Sequence, residues 1–313
     1  MLDIRELTKV YGQFTALDRL TLHIGAGELH GFVGPNGAGK TTTMRILATL
    51  LAPTSGSAAI DGADVVKDPR RVRGLVGYMP DFFGVYDHLK SWEYLDFYAR
   101  CYGFSHAERM RMIGQLLELV NLTDKRDAYV DNLSRGMKQR LCLAHALIHD
   151  PKLLILDEPA SGMDPRARAE MKGILRTLKD MGKTVLISSH ILPELSELCD
   201  SLTIIDHGSL VFSGTVEALS RKMRGSAAIE IKLLPAGGET MLQNAAETLK
   251  QFPGVTGIRR GDGLDLSVDY DGDENGAAEM LQALLRGGAR VADFHRPPMN
   301  LEKVFMEVTR DDG

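Results

Sequence analysis

Two short segments, far apart along the chain, constrain the fold more than any other feature of the sequence. The first, GPNGAGKTT at 34–42, lies between an apolar run and a helical pattern. The second, LLILDEP at 153–159, begins with four consecutive apolar residues, as expected for a parallel strand buried on both faces. Ligands of open α/β sheets lie beyond the carboxyl ends of such strands. The pair therefore predicts an α/β fold that binds nucleotide phosphates.

The first segment fits the phosphate-loop pattern G-x-x-x-x-G-K-[ST]. Backbone N–H groups must surround an anion at close range, so Gly37 and Gly39 are expected to take positive φ. A helix that begins at about Gly39 points its positive end at the β-phosphate. Lys40 is predicted to place its charge near the β and γ oxygens, and the Thr41 hydroxyl to ligate Mg²⁺. The following TTTMRILATLL predicts a helix that buries Met44, Leu47 and Leu51.

Two carboxylates end the second segment. Asp157 is placed to hold Mg²⁺ through water, and Glu158 to orient or deprotonate an attacking water. An acidic turn at a strand end is the alternative, and the phosphate loop elsewhere in the chain argues against it.

The chain resembles the nucleotide-binding subunit of ATP-binding cassette (ABC) transporters, whose motifs occur in order over roughly residues 1–220. Tyr11, in KVYG, matches the aromatic residue that stacks on adenine. LSRGM at 133–137 matches the family signature LSGGQ, and SGMD, which ends at Asp164, matches the D-loop. His190, in SSHIL, matches the switch histidine.

This resemblance implies an ATPase with ATP and Mg²⁺ as its cofactors. Glu158 and His190 are the implied catalytic residues, and His190 contacts the γ-phosphate. Thr41, Asp157 and Asp81 are the candidate Mg²⁺ ligands. The implied ATP-binding residues are Tyr11, Gly34, Pro35, Asn36, Gly37, Ala38, Gly39, Lys40, Thr41 and Thr42.

In the family, the signature of one subunit caps the ATP that the other holds, which implies a homodimer. Ser134 and Gly136 precede the helical segment KQRLCLAHALI, whose N-terminus is a second anion site. Arg135 and Met137 depart from the usual Gly and Gln. Because Ser134 and Gly136 are retained, we expect the signature to contact ATP in trans.

A second departure lies in GYMPDFFGVYDHL, where Asp81 stands at the position of the family's usual Gln. An aspartate can ligate Mg²⁺, but its ionised carboxylate cannot donate a hydrogen bond to water or phosphate. The alternative is that Asp81 is a solvated turn residue after Pro80.

Composition narrows the class of protein and its location. A net charge of −5 does not favour a nucleic-acid partner. Cys101, Cys142 and Cys199 are too far apart for a disulfide framework or a metal motif, as expected in a reducing cytoplasm. No apolar run reaches the ~18–20 residues that span a bilayer, and we see no signal peptide. The resemblance then implies a peripheral protein on the cytoplasmic face of the membrane and a permease in another chain.

At 313 residues the chain predicts two domains. The first, 1–224, combines the P-loop core with antiparallel strands near the N-terminus and a helical subdomain at about 85–150. The second, 225–313, shows the order βαββαβ, a small α+β domain of ferredoxin-like type, followed by the helical segment NLEKVFMEVTR. Similar tails with LE-x-VF occur on export-type ABC subunits. The second domain is either regulatory or dimerising, or a passive appendage.

An aromatic cluster in the first domain is either a docking surface for a permease helix or ordinary packing. Its members are Phe82, Phe83, Tyr86, Trp92 and Tyr94.

The sequence thus predicts the ATP-hydrolysing subunit of an ABC transporter, with export as the favoured direction. One alternative is a soluble ABC ATPase that acts on ribosomes or DNA. Such proteins carry two cassettes or a long coiled-coil insertion, whereas this chain has one cassette and no sustained heptads. The other is a nucleotide-dependent regulator without a permease, with the second domain as its ligand-binding part.

Overall fold

The computed structural model describes residues 1–81, 84, 88–219, 228–235, 238–261 and 263–296. The chain divides into two compact units, Met1–Val216 and Glu217–Gly313. The domain boundary predicted at 224/225 lies outside the described residues.

The first unit alternates strands and helices along most of its length. Its strands are β1 (Leu2–Tyr11), β2 (Phe14–Ile24), β3 (Leu29–Val33), β4 (Ser55–Ile60), β5 (Ala63–Asp64), β6 (Val76–Met79), β7 (Leu153–Leu156), β8 (Thr184–Ser189), β9 (Ser201–Asp206) and β10 (Ser209–Thr215). Its α-helices are α1 (Lys40–Leu47), α2 (Pro69–Leu75), α3 (Ser91–Cys101), α4 (His106–Leu119), α5 (Arg135–Ala146), α6 (Pro165–Asp180) and α7 (Leu192–Ser196). Short 3₁₀ helices cover Thr123–Lys125 and Val130–Asn132.

The central sheet has the strand order β10-β9-β3-β8-β7-β6. Every pair in it is parallel except β9 with the edge strand β10. Each residue of β3, β7 and β8 is buried, because other elements cover both faces of this parallel sheet and leave no polar side to the strand. The largely apolar segments ELHGFVG, LLILDEP and TVLISS therefore predicted these strands correctly.

A second, antiparallel sheet has the order β2-β1-β4-β5. A two-residue turn joins β1 to β2, and β1 alternates buried and more exposed residues near its start. The buried residues of this sheet share one apolar core with α1 and with the central sheet. That core includes Leu2, Ile4, Leu20, Met44, Leu47 and Phe32.

Helix α1 is shorter than the sequence pattern predicted. It ends at Leu47, and Thr49 takes φ 61°, a left-handed conformation that stops a helix. Met44 and Leu47 are buried as predicted, but Leu51 contacts the same core only partly and from the turn beyond the helix. Hydrophobic spacing cannot distinguish another helical turn from a turn that folds back onto the same core.

Helices α3, α4 and α5 lie between β6 and β7 in the chain, which agrees with the predicted helical subdomain. A capping box between Ser105 and Glu108 starts α4. Phe82, Phe83 and Tyr86 of the aromatic cluster lie outside the described residues. Tyr94 is only 2 % exposed and packs edge-on against Tyr98, so for this residue the packing alternative holds.

The second unit contains β11 (Ala228–Leu233), α8 (Gly238–Lys250), β12 (Val255–Arg260), β13 (Asp265–Tyr270), α9 (Glu274–Arg286) and β14 (Val291–His295). Its sheet is antiparallel, in the order β12-β13-β11-β14, and the two helices share its apolar core. This is the predicted ferredoxin-like arrangement. The segment NLEKVFMEVTR lies outside the described residues. Among the helices that the structure describes, none is both long and apolar enough to cross a membrane.

Candidate functional site

Four parallel strands of the central sheet end at one edge, and predicted site residues follow each of them. The phosphate loop follows β3, Asp81 follows β6, Asp157 follows β7 and His190 follows β8. In the ladder, Val33 pairs with Ser189 and Met79 with Leu156, so these strands end nearly level. Their ends bound a cavity of about 410 Å³. It is lined by Tyr11, Phe14, Ala16, Pro35, Asn36, Gly37, Gly39, Lys40, Thr41, Thr42, Asp81, Glu158, Ser161 and His190.

The phosphate loop closes onto the start of α1. Gly39 is the N-cap residue with φ 102°, and a Cβ atom there would lie 2.6 Å from the Ala16 carbonyl oxygen. Glycine is therefore required both for the backbone conformation and for the close approach. No described side chain caps this helix, and its first-turn residues line the cavity. First-turn N–H groups have no acceptor within a helix, so they can bind an anion here.

Lys40 lies across the loop with its side chain 6 % exposed. Its Nζ donates to the carbonyl oxygens of Gly34 at 2.7 Å and Pro35 at 3.1 Å. The same nitrogen lies 3.5 Å from Glu158 Oε1. This cation therefore connects the phosphate loop to the carboxylate that follows β7.

Asp157 is fully buried and is held by Ser188 of the neighbouring strand. The Ser188 hydroxyl donates to Asp157 Oδ1 at 2.7 Å and accepts the Glu158 N–H at 2.9 Å. Asp157 Oδ2 is buried and has no hydrogen-bond partner among the described residues. Leaving such an oxygen unpaired costs about 1–3 kcal/mol, so this atom suits a cation or an ordered water.

Glu158 has a strained backbone and a tightly held carboxylate. Its φ of 50° is left-handed, which costs about 1–3 kcal/mol in a residue with a side chain. Its Oε2 lies 2.9 Å from His190 Nδ1, and the side chain is 13 % exposed. The imidazole and the Lys40 ammonium together fix this carboxylate at the cavity wall.

Asp81 lies in the same wall, where burial raises the pKa of its carboxyl group. The nearby charges of Asp157 and Glu158 raise this pKa further, while Arg135 and Lys40 lower it. The carboxyl group at this position is therefore influenced by both the acidic and the basic side chains of the site.

Tyr11 and Phe14 form an aromatic pair at the rim of the cavity. They face each other across the β1–β2 turn and are 46 % and 60 % exposed. Lys9 Nζ lies 5.1 Å from the centre of the Tyr11 ring. Exposed rings at a phosphate site can stack on a nucleobase. Sequence reasoning identified Tyr11 but missed Phe14, although the short YGQF turn could have indicated that both rings share one end of a hairpin.

Comparison with known proteins identifies the family. Residues 17–161 match the profile of the ABC transporter family. Over 303 residues the chain is 36 % identical to the daunorubicin/doxorubicin resistance ATP-binding protein DrrA of Streptomyces peucetius, covering 97 % of this chain and 90 % of that protein. The chain belongs to the ABC transporter family. It is an ATP-binding protein with the family's ATPase activity.

Further relatives of this ABC ATPase support the same family assignment. It is 35 % identical over 308 residues to the Nod factor export ATP-binding protein I of Paraburkholderia xenovorans, with 98 % of this chain and 96 % of that protein covered. A solved ATP-binding subunit of an ABC transporter matches with a TM-score of 0.64 and 31 % identity, over 71 % of this chain and 93 % of that one. A dimeric ATP-binding cassette bound to ADP and Pi, at 24 % identity and a TM-score of 0.63, supports the fold.

The signature residues of this ABC ATPase do not line the cavity. Ser134 caps α5 by accepting the Met137 N–H at 3.3 Å. Gly136 packs against α6, because a Cβ atom there would lie 2.9 Å from Ala167 Cβ. Asp164 of the D-loop caps α6 by accepting the Ala167 N–H at 2.9 Å. The structure therefore places the signature beside the D-loop of the same chain.

Three other predicted residues also lie behind the cavity lining. Gly34 and Ala38 support the phosphate loop from inside, since a Cβ atom at Gly34 would lie 2.5 Å from the Ile205 carbonyl oxygen and 3.0 Å from Ala38 Cβ. Asp157 is fully buried and does not line the cavity. Sequence reasoning missed Ser188, which the SSH triplet could have indicated. Ser161, the first residue of the D-loop segment SGMD, lines the cavity, and its N–H donates to the Glu158 carbonyl at 3.0 Å.

Proposed function

We propose that this ABC ATPase powers a separate membrane permease and that the transport direction is export. The printed functions of relatives that match nearly the whole chain, drug resistance and Nod factor export, support this proposal. Membership of the ABC transporter family implies a membrane permease as the partner, and we assign the pathway for the substrate to that partner. The protein would then lie peripherally on the cytoplasmic face of the membrane.

One observation supports hydrolysis at this site above all others. Glu158 is held 2.9 Å from His190 and 3.5 Å from Lys40, at the wall of a cavity whose other side is the phosphate loop. A carboxylate fixed in this way can orient an attacking water and accept its proton. His190 keeps Glu158 in place and lines the same cavity as the phosphate loop, where it would contact a γ-phosphate. Tyr11, assisted by Phe14, would stack on adenine.

The residues at this site fit Mg²⁺. The buried Oδ2 of Asp157 is an oxygen ligand without a hydrogen-bond partner among the described residues, and Thr41 and Asp81 line the cavity. The described residues contain no cluster of three or more His, Cys, Asp or Glu that could hold a metal alone. Mg²⁺ usually keeps several waters and binds one or two carboxylates together with substrate phosphates. When bound, the ion would neutralise charge on the β- and γ-phosphate oxygens.

A homodimer would complete each site. Ser134, Arg135, Gly136 and Met137 do not line the cavity of their own chain, so a second copy would present the signature to ATP. Closure of two copies would then tie hydrolysis to the assembled state, because part of the site exists only in the dimer.

Substitution of Glu158 tests this proposal. Glu158→Gln keeps the shape of the side chain and removes the base, so we expect ATP binding to persist while turnover falls by about 10²-fold or more. The variant should accumulate as an ATP-bound dimer on size exclusion. As a matched control, Glu279→Gln on α9 removes an exposed carboxylate of the second unit and should behave like wild type. Near-normal hydrolysis by Glu158→Gln would remove Glu158 from this role.

The permease partner is tested separately. The tagged Glu158→Gln protein, purified from detergent-solubilised membranes with ATP present, should retain a multi-span membrane protein. Recovery of the ATPase alone, or with ribosomes, would favour one of the soluble alternatives.

We also propose that the second unit is an accessory domain with a regulatory or dimerising role. It has its own apolar core and its own sheet, which favours independent folding. A chain that ends at Arg224 should therefore fold and bind ATP, with weaker self-association or altered transport. An insoluble product would show that the second unit is needed for the core to fold.

A further inference from the structure

An ion pair joins the helix that follows the D-loop to the helix that follows the switch histidine. Arg168 lies in the first turn of α6 and Glu194 in the first turn of α7. Arg168 Nη1 lies 2.6 Å from Glu194 Oε1, and the two side chains are 35 % and 17 % exposed. Partly buried ion pairs are screened less by solvent and salt than exposed ones. This pair therefore holds the starts of α6 and α7 together.

The same arginine also contacts the D-loop itself. Its Nη2 donates to the carbonyl oxygen of Met163 at 3.4 Å. One guanidinium group thus connects the D-loop to Glu194, although the two segments are about thirty residues apart in the sequence.

Helix α5 holds the D-loop as well. Gln139 Nε2 donates to the Ser161 carbonyl oxygen at 3.3 Å, and the Ser161 N–H donates to the Glu158 carbonyl oxygen at 3.0 Å. The guanidinium of Arg135 lies against Gly162, because a Cβ atom there would be 2.5 Å from Arg135 Cζ. The D-loop is therefore fixed to α5 and to the backbone of Glu158, and Arg168 extends these contacts to α7.

A further cavity, of about 200 Å³, has Arg168 and Glu194 in its lining together with Glu158 and His190. His190 precedes the first residue of α7 by two positions, and its Nδ1 lies 2.9 Å from Glu158 Oε2. A shift of α7 would therefore move His190 and release the Glu158 carboxylate. Misplacement of reacting groups by about 1 Å can lower a rate by about 10²-fold.

We propose that Arg168 and Glu194 are positioning residues for ATP hydrolysis. Their ion pair holds α7, and with it His190, in the place that fixes the Glu158 carboxylate, and Arg168 makes this place depend on the D-loop. Neither residue lines the nucleotide cavity, so the effect is on turnover and not on ATP binding. This inference rests on the proposed role of Glu158 as the base.

Steady-state hydrolysis by the full chain tests the proposal, with kcat and the KM for ATP measured separately. Arg168→Met keeps the length of the side chain and removes its charge. We expect kcat to fall by about fivefold to thirtyfold, within the range for residues coupled in one network, and KM to stay within about twofold. Arg168→Lys keeps the charge and should retain kcat within about threefold. An unchanged kcat in Arg168→Met, or a rise in KM alone, would overturn the proposal.

A double-mutant cycle tests whether the two residues act as a pair. Glu194→Gln should lower kcat about as much as Arg168→Met does. Because both substitutions break the same ion pair, the double variant should be no slower than the slower single variant. If the two losses multiply, Arg168 and Glu194 act independently and the proposal is wrong.

A neighbouring ion pair provides the matched control. Lys172 Nζ on α6 lies 2.9 Å from Oε2 of Glu197, the C-cap residue of α7, and neither residue lines the two cavities. Lys172→Met should keep kcat within about twofold of wild type. Thermal unfolding of each variant measures the loss of stability. If Lys172→Met lowers kcat as much as Arg168→Met does, loss of helix packing explains both effects and the positioning role is overturned.

Glu158→Gln separates failure of this inference from failure of the proposed base. If the ion pair acts through Glu158, adding Arg168→Met to Glu158→Gln should change the residual kcat by less than about twofold. A further fall comparable to that of Arg168→Met alone would show that the arginine acts elsewhere. Near-normal hydrolysis by Glu158→Gln alone would instead contradict the proposed base, and the positioning role would fall with it.

Discussion

The two helices that begin at predicted phosphate sites, α1 and α5, start in different ways. At α1 the N-cap residue is Gly39, and no described side chain accepts from the first turn. At α5 the N-cap residue is Ser134, whose hydroxyl oxygen accepts the Met137 N–H. A glycine near a helix start and a favourable dipole predicted an anion site at both ends. Only α1 leaves its first turn to be completed by a ligand.

This difference indicates that the two helix ends have different roles. The start of α1 is shaped by backbone contacts that only glycine allows, so its geometry and its ligand affinity depend on each other. The start of α5 is capped by its own serine and packs on α6, so this helix end is stable without a ligand. A phosphate contact there would add to interactions that already exist. A helix end of this kind suits a contact that forms only when two chains meet.

The largest expected effect concerns the uncapped end. Gly39→Ala places a Cβ atom 2.6 Å from a backbone carbonyl at φ 102°, whereas Gly37→Ala, at φ 86°, meets no atom within 4 Å. Backbone strain and clash together should cost about 2–5 kcal/mol at Gly39, and strain alone about 1–2 kcal/mol at Gly37. Measured by ATP titration, Gly39→Ala should lose at least about 30-fold in affinity and Gly37→Ala much less. Equal losses would mean that conformation alone limits the loop.

The next effect concerns the capped end. Ser134→Arg should leave ATP binding to the monomer within about twofold, because α5 does not line the cavity, and should reduce ATP-driven dimerisation by about tenfold or more. Mixing it with a Lys40→Ala chain leaves one composite site with both halves intact, so the mixture should recover part of the dimer on size exclusion. Loss of ATP binding by isolated Ser134→Arg would contradict the trans arrangement.

A smaller effect is expected on stability. Ser134→Ala removes the cap of α5 and should lower the free energy of unfolding by about 1 kcal/mol. Asp164→Ala removes the corresponding cap of α6 and should cost a similar amount. Urea titration without nucleotide measures both. If Ser134→Ala costs nothing, the hydroxyl is not engaged by its own helix, and the contrast with α1 disappears.

The smallest expected effect concerns the charge of Asp81, which lines the same cavity as the start of α1. The folded state raises the pKa of Asp81, mainly through burial and then through Asp157 and Glu158, so folding penalises the ionised form. Stability therefore falls as pH rises from the unfolded pKa through the folded pKa, so the penalty is larger at neutral pH than at acidic pH. Asp81→Asn should be more stable than wild type at pH 7 by less than about 1 kcal/mol, since solvent screens this group.

This gain should shrink as the pH is lowered towards 4, because the wild-type carboxyl then becomes neutral as well. Urea titrations at several pH values provide the measurement. Asp127→Asn, at an exposed position of the first unit, serves as the control. A gain that is the same at every pH would show that a change in packing, and not charge, is responsible.

The alternation of strands and helices, the phosphate loop, the carboxylates after β7 and the ferredoxin-like order of the second unit all followed from short-range patterns. They could be predicted because a buried parallel strand or a glycine-rich loop needs particular residues in a particular local order. The predicted end of α1 was wrong, because the same apolar spacing occurs in a helix and in a turn that returns to the core. Ser188 was missed, because its role depends on a strand that is a neighbour only in the sheet.

The sequence by itself determined the family, the fold class and the candidate residues of the nucleotide site, since each motif combines backbone conformation and chemistry within a few residues. Only the tertiary structure decided how those residues meet. It placed Ser188 between Asp157 and Glu158, and it put the start of α5 away from the cavity. It also brought Arg135 against Gly162. Contacts of this kind join separate elements, and their distances depend on packing that no local pattern records.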